Sequence, residues 1–187
     1  MKKLFAIIAG EPNSINSEII VKAWIKIKNK KNFFIIGNYK ILKNQINKIN
    51  KKIKISKIDS IKNISSKDSL HILNIPLKFI STYKADFLET RKYILQSLNL
   101  AHNLSLSKKI KGFINLPINK TIFKNKYLGV TEYLAGKNNV RNKEVMMIYN
   151  KKLSVVPLTT HLELKNIKKK IKSNLIRKKI FSLNNSY

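Results

Sequence analysis

The sequence contains no cysteine, which excludes disulfides, a thiolate zinc site and a cysteine nucleophile together. Arginine is nearly absent as well: Arg91, Arg141 and Arg177 stand against 36 lysines. Proteins that grip phosphate and guanine edges bidentately use the planar arginine fork, so this scarcity argues against base readout despite a net charge of +30. Glycine occurs five times, and nowhere with the spacing of a dinucleotide fingerprint or a P-loop. No apolar run approaches the ~18 residues of a membrane span. The apolar stretch at 4–9 is too short for a secretory leader, and Glu11 and Pro12 follow it at once. A soluble, cytoplasmic protein without a membrane partner is expected.

What is present is a globular composition, 43% hydrophobic over 187 residues, long enough for one domain with a real core. The lysines are spread along the whole chain and mixed with isoleucine and asparagine, as in "NQINKINKKIKISKIDSIKNI" (44–64). These three residue types share codons rich in A and T. Compositional drift is therefore favoured over a functional basic surface, and a nucleic-acid partner is kept only as an alternative.

Short apolar runs alternate with longer helical periods. Residues 4–10, 33–37, 53–58, 70–75 and 110–117 read as strands. Helices are expected over 17–28, with Ser17 as N-cap and Ile19, Ala23 and Ile27 on one face, and over 39–49. A third spans 86–104, where Leu88, Ile94, Leu95, Leu98 and Ala101 share a face and Asp86 and Glu89 complement the N-terminus. Residues 144–150 and 153–160 read as paired strands, and a last helix as running from Glu163 to Phe181 with Leu164, Ile167, Ile171 and Leu175 in a stripe. The alternation predicts one α/β unit over 1–187, a mostly parallel sheet flanked by helices.

Four stretches fall at the carboxyl ends of expected strands, where open α/β sheets place ligands. "GEPNSINSEI" (10–19) is a turn into a helix whose free N–H groups would face an anion, or an ordinary strand–helix turn. "NLPINK" (115–120) stops a strand at Pro117 and lets Lys120 reach back toward a phosphate. In "YLGVTEYLAG" (127–136), Gly129 gives a turn, and Thr131 is either an N-cap or a ligand-facing hydroxyl, with spacing favouring the cap. "PLTTHLELKNI" (157–167) ends a strand in His161, a metal ligand, an acid/base or a hydrogen-bonded structural residue. His71 and His102 sit in an apolar strand and helix, and neither is an obvious partner for it.

In order and in combination, these stretches resemble the 4-hydroxythreonine-4-phosphate dehydrogenase family of vitamin B6 synthesis. The resemblance rests on Gly10-Glu11-Pro12 with Ile15 and Glu18, on Pro117 and Lys120, and on Gly129 with Thr131-Glu132-Tyr133-Leu134. Met146-Met147 and Thr159-Thr160-His161-Leu162 with Leu164 complete it, over residues 4 to about 175. It implies a fold like that of isocitrate and isopropylmalate dehydrogenases. The implied activity is NAD- or NADP-dependent oxidation, with decarboxylation, of 4-phosphooxy-L-threonine. A divalent metal (Zn, Mg or Co) held by three histidines would assist, in a homodimer with sites across the interface. His161 matches the first metal histidine, Thr131 the substrate-contacting threonine, and Lys120 the lysine of the strand-end motif.

The departures from the family pattern are specific. Val130 stands where the family has a substrate-contacting histidine. Ser14 and Asn16 replace two glycines and Ser17 a proline, with Asn16 expected to keep the turn through its tolerance of left-handed backbone. Asn115-Leu116 replaces Thr-Gly. The family's other two metal histidines lie beyond the matched region, so the chain is expected to be the amino-terminal part or a shortened member, incomplete as a catalyst. The alternative is a non-catalytic remnant that binds a phosphorylated ligand or a partner chain.

Overall fold

The structure is a computed structural model that describes residues 4–27, 32–49, 53–64, 68–140, 144–160 and 162–185. Two compact units, Met1–Ile122 and Phe123–Tyr187, stand where the sequence suggested one.

In the first unit, five strands form one sheet: β1 (Leu4–Ile8), β2 (Phe33–Gly37), β3 (Ile55–Ile58), β4 (Leu70–Asn74) and β5 (Ile110–Asn115), ordered β3-β4-β2-β1-β5. Every pairing is parallel. Parallel strands buried on both faces need continuous apolar sequence, which is why "FFIIG" and "LHILN" were legible as strands. The helices α1 (Asn16–Lys26) and α2 (Tyr39–Lys48) pack on each other, whereas α3 (Phe87–Leu106) packs on β5, β1 and β2. Trp24 of α1 meets Phe33 edge-on at 5.6 Å, which fixes the sheet face that α1 covers. Ala6, Ile8, Phe34 and Ile36 alternate onto the other face and are fully buried.

The amphipathic faces needed correction at two helices. The buried side of α1 is Ile20, Val21 and Trp24, not the Ile19, Ala23 and Ile27 line, and its N-cap is Ile15, with Ser17 buried inside the first turn. Both stripes are apolar, and the sheet selects the one that carries the tryptophan. On α3 the expected Ile94, Leu98 and Ala101 are buried with Tyr93, but Leu88 is 66% exposed. Its N-cap is Asp86, whose carboxylate accepts from Leu88 N at 2.8 Å and Glu89 N at 3.4 Å.

The second unit holds α4 (Val130–Lys137), α5 (Ile167–Lys170) and α6 (Ser173–Asn184). The strands expected at 144–150 and 153–160 reduce to one antiparallel bridge, Ile148 with Val155, closed by hydrogen bonds of 2.8 and 2.9 Å. The single helix expected from Glu163 to Phe181 is broken at Ile171 and Lys172, both extended. Its stripe never forms, and Leu164 is 86% exposed. Lysines at 165, 168, 169, 170 and 172 repel one another at helical spacing, and no buried face offsets that repulsion.

Candidate functional site

The crossover from β4 to β5 reverses the direction in which strands are added, so β1 and β5 flank the topological switch point. The loops after these two strands carry "GEP" and "NLPINK". They are stitched together. Gly10 takes φ +71°, and a Cβ there would stand 2.6 Å from the Pro117 carbonyl oxygen. Glu11 N–H donates to that oxygen at 3.0 Å. The Asn16 side-chain amide donates to Pro117 O at 2.9 Å and Ala9 O at 3.0 Å. Asn16 itself is helical, so it keeps the corner through its carboxamide and not through left-handed backbone, as the sequence had suggested.

Further carboxamides pin this corner and the neighbouring end of β2. Asn13 exchanges two hydrogen bonds of 2.9 Å with the Ala85 backbone. Gln45, buried, donates to Pro12 O at 2.7 Å and Thr82 O at 2.9 Å. Asn38 caps α2 through Ile41 N and donates to Ile75 O. Several backbone donors that could have faced an anion are spent internally: Glu11 N on Pro117 O, Asn16 N on Ser14 Oγ and Glu18 N on Ile15 O. The corner is a rigid scaffold, and those three donors are not a phosphate cradle. Beneath it, burial pushes the Tyr93 hydroxyl far above its ordinary value, against the opposing hydrogen bond from Asn38 N–H, with the Glu11 charge adding to the rise.

Lys120 begins a 3-10 turn, Lys120–Phe123, directly after this corner and is exposed. Asn119 accepts from Thr121 N and Oγ1 at 3.0 and 2.8 Å, and Arg91 donates to Ile122 O at 2.7 Å, tying the turn to α3. In the second unit, Gly129 is the N-cap of α4, so the expectation that Thr131 caps it is corrected; Thr131 lies in the first turn and is exposed. Glu132 folds back to within 3.3 Å of where a Gly129 Cβ would stand, the third helical position at which acids favour an N-terminus. An aromatic trio that the sequence reading missed supports this turn: Phe123 stacks on Tyr133 at 5.2 Å, and Tyr127 meets both edge-on. The signal available was three aromatics within eleven residues around Gly129.

His161 lies outside the described residues, so its geometry is not described. The other two histidines belong to the first unit's core. His71 is buried in β4 with Nδ1 2.6 Å from Ser56 Oγ, and His102 is buried in α3. No group of three or more His, Asp or Glu side chains that could hold a metal occurs among the described residues. A three-histidine centre does not fit this chain's own donors, because two of its three histidines are committed elsewhere.

Fold and loops together define a doubly wound parallel α/β protein that carries its candidate ligand residues on strand-end and helix-start turns. The family model described as pyridoxal phosphate biosynthetic protein PdxA matches residues 29–187, and the chain belongs to that family. It is 31% identical over 188 residues to the 4-hydroxythreonine-4-phosphate dehydrogenase of Sulfurihydrogenibium sp., covering 97% of this chain and 57% of the relative. The enzyme of the same name from Hydrogenobaculum sp. is 29% identical, with 95% and 57% covered. The chain thus spans little more than half the length of the curated relatives it matches. In fold it is similar to the crystal structure of a 4-hydroxythreonine-4-phosphate dehydrogenase from Burkholderia phymatum, with TM-score 0.81 and 23% identity, covering 96% of this chain and 56% of that one.

Proposed function

We propose that the chain supplies the strand-end scaffold and one metal-binding histidine of a 4-hydroxythreonine-4-phosphate dehydrogenase, and that it does not complete the reaction by itself. The observation that carries this reading is the family match over residues 29–187, combined with motif residues that fall on turns. In the proposal Lys120 offers an ammonium to an anionic group of a phosphorylated amino acid. Thr131 offers a hydroxyl that no cap consumes. Val130, beside it, can neither donate a hydrogen bond nor carry a proton. His161 contributes a single nitrogen toward a Zn, Mg or Co ion, and NAD or NADP would accept the hydride in the complete enzyme. The site is assigned to a cytoplasmic homodimer. Among the described residues, no helix is long and apolar enough to cross a membrane.

One histidine per chain outside the first unit's core, and two in a dimer, fall short of a three-histidine centre. The purified chain should show no NAD- or NADP-dependent turnover of 4-phosphooxy-L-threonine with added Zn²⁺, Mg²⁺ or Co²⁺. Metal analysis after dialysis should find less than one equivalent, and still less in His161→Ala. Turnover abolished by His161→Ala would show that the chain is catalytically sufficient and overturn this reading.

A further inference from the structure

The switch point between β1 and β5 puts one carboxylate and one ammonium on adjoining loops. Glu11 follows β1, and its N–H is held by the Pro117 carbonyl at 3.0 Å. Lys120 follows β5, in the loop that carries the same proline. It opens a turn that Arg91 ties to α3 through Ile122 O at 2.7 Å. Both backbones are thus held before any ligand arrives, which lowers the ordering cost of binding. Glu11 is half-buried and Lys120 exposed.

Neither side chain is spent within the described residues. Glu11 and Lys120 form no ion pair with each other or with another described group, and the Glu11 carboxylate accepts no hydrogen bond there. The other acids at this end of the sheet have uses. Asp59 faces Lys57 at 3.7 Å, and Glu18 pairs with Lys22 at 2.7 Å. Asp86 caps α3, and Glu89 lies in the first turn of α3, where the helix dipole favours it. In a chain with 39 basic residues, Glu11 is a carboxylate beside the crevice that the fold leaves unclaimed.

A carboxylate and an ammonium held on adjoining loops suit a ligand that carries both signs. A purely anionic ligand would gain from Lys120 and be repelled by Glu11. A phosphorylated amino acid offers its phosphate to Lys120 and its α-ammonium to Glu11, in a charge-assisted hydrogen bond. We infer that Glu11 is the ammonium subsite of this chain, the residue by which it selects an amino acid over an amine-free phosphorylated acid. The inference deepens the functional reading above and rests on it for the substrate class.

The test is titration calorimetry on the purified chain, without metal or dinucleotide. The ligands are 4-phosphooxy-L-threonine and 3-hydroxy-4-phosphooxybutanoate, which lacks only the amine. The analogue is the more negative of the two, so a diffuse lysine shell by itself would bind it more tightly. The Glu11 subsite reverses that order, by about tenfold in favour of the amine. Glu11→Gln keeps the side chain's shape and should melt with the parent, yet lose the preference. Glu18→Gln, the same charge change on α1, should keep it, and Glu11→Asp should retain part of it. Lys120→Met should weaken both ligands alike. Equal affinity for the two ligands, tighter binding of the analogue, binding of neither, or a preference that survives Glu11→Gln overturns the inference. None of these outcomes involves turnover, so the reading of the chain as catalytically incomplete is decided separately, by the assay with NAD or NADP.

Discussion

Asn16 sets one carboxamide against the carbonyls of Ala9 and Pro117, which lie at the ends of two neighbouring strands. Removing the amide leaves buried acceptors short of donors, which costs about 1–3 kcal/mol; Asn16→Ala should lower the urea midpoint of the chain accordingly, with an unchanged m-value. Two glycines give a sharper contrast. Gly10→Ala meets both a positive φ and a backbone oxygen at 2.6 Å, so it should cost about 1–3 kcal/mol. Gly112→Ala meets open space and should stay within about 0.5 kcal/mol of the parent. Equal effects at the two positions would refute the geometry of the stitched corner. Tyr93 adds a pH dependence. Its folded pKa is raised above the ordinary 10.0, so the folded chain keeps a proton that the unfolded chain releases. That contribution is complete below pH 10 and is lost as pH rises beyond it. Tyr93→Phe should therefore close part of its stability gap to the parent at alkaline pH, as followed by urea melts on either side of that value. A gap independent of pH would show that the hydroxyl is not held neutral by burial.

At the scale of elements, what was legible depended on whether local sequence alone decided the outcome. Four of the strands were, because runs such as "FFIIG" have one use in a doubly wound sheet, whereas β3, Ile-Ser-Lys-Ile, lies in a lysine-rich stretch that its local sequence marks only weakly. So was α3, whose Asp86 cap is written next to its first turn. Asp86→Ala should cost about 1 kcal/mol, read as a lower thermal midpoint at neutral pH. Position decided the rest. α1 carries two apolar stripes, and only packing on Phe33 chose between them. The helix expected across residues 163–181 had the right period, but no surface buries its stripe, and the lysines between the apolar positions break it at Ile171. The pair at Ile148 and Val155 has strand-like sequence on both sides, yet one bridge is all that forms. For the candidate site, sequence order put Lys120 after a strand end and Thr131 at a helix start, but it favoured Thr131 as the cap that Gly129 supplies. The carboxamide corner was not legible, because asparagine is common throughout this chain and Asn16 meets Pro117 across 101 residues.

For the molecule as a whole, the question is what thirty uncompensated positive charges do. Nine acidic residues cannot neutralise 39 basic ones. The pairs Lys22 with Glu18 and Lys165 with Glu163 are surface contacts, each worth at most about 1 kcal/mol. Exposed lysines stand on every helix, among them Lys22, Lys40, Lys92, Lys137, Lys168 and Lys178. They form a diffuse shell and not a stripe, which fits drift in composition better than a groove-tracking surface. A shell of like charge destabilises the compact state by self-repulsion, and salt screens it over a Debye length of about 10 Å at 0.1 M. The thermal midpoint should therefore rise as NaCl is raised from about 0.02 M to about 0.5 M, opposite to a fold held by surface ion pairs. The same titration separates the nucleic-acid alternative, because a binder of duplex DNA loses affinity steeply over that range. Fluorescence anisotropy with a duplex at the lower salt should show no saturable binding. Saturable binding that vanishes at the higher salt would assign the charge a partner, and a midpoint that falls with salt would mean that the lysines are paired within the fold.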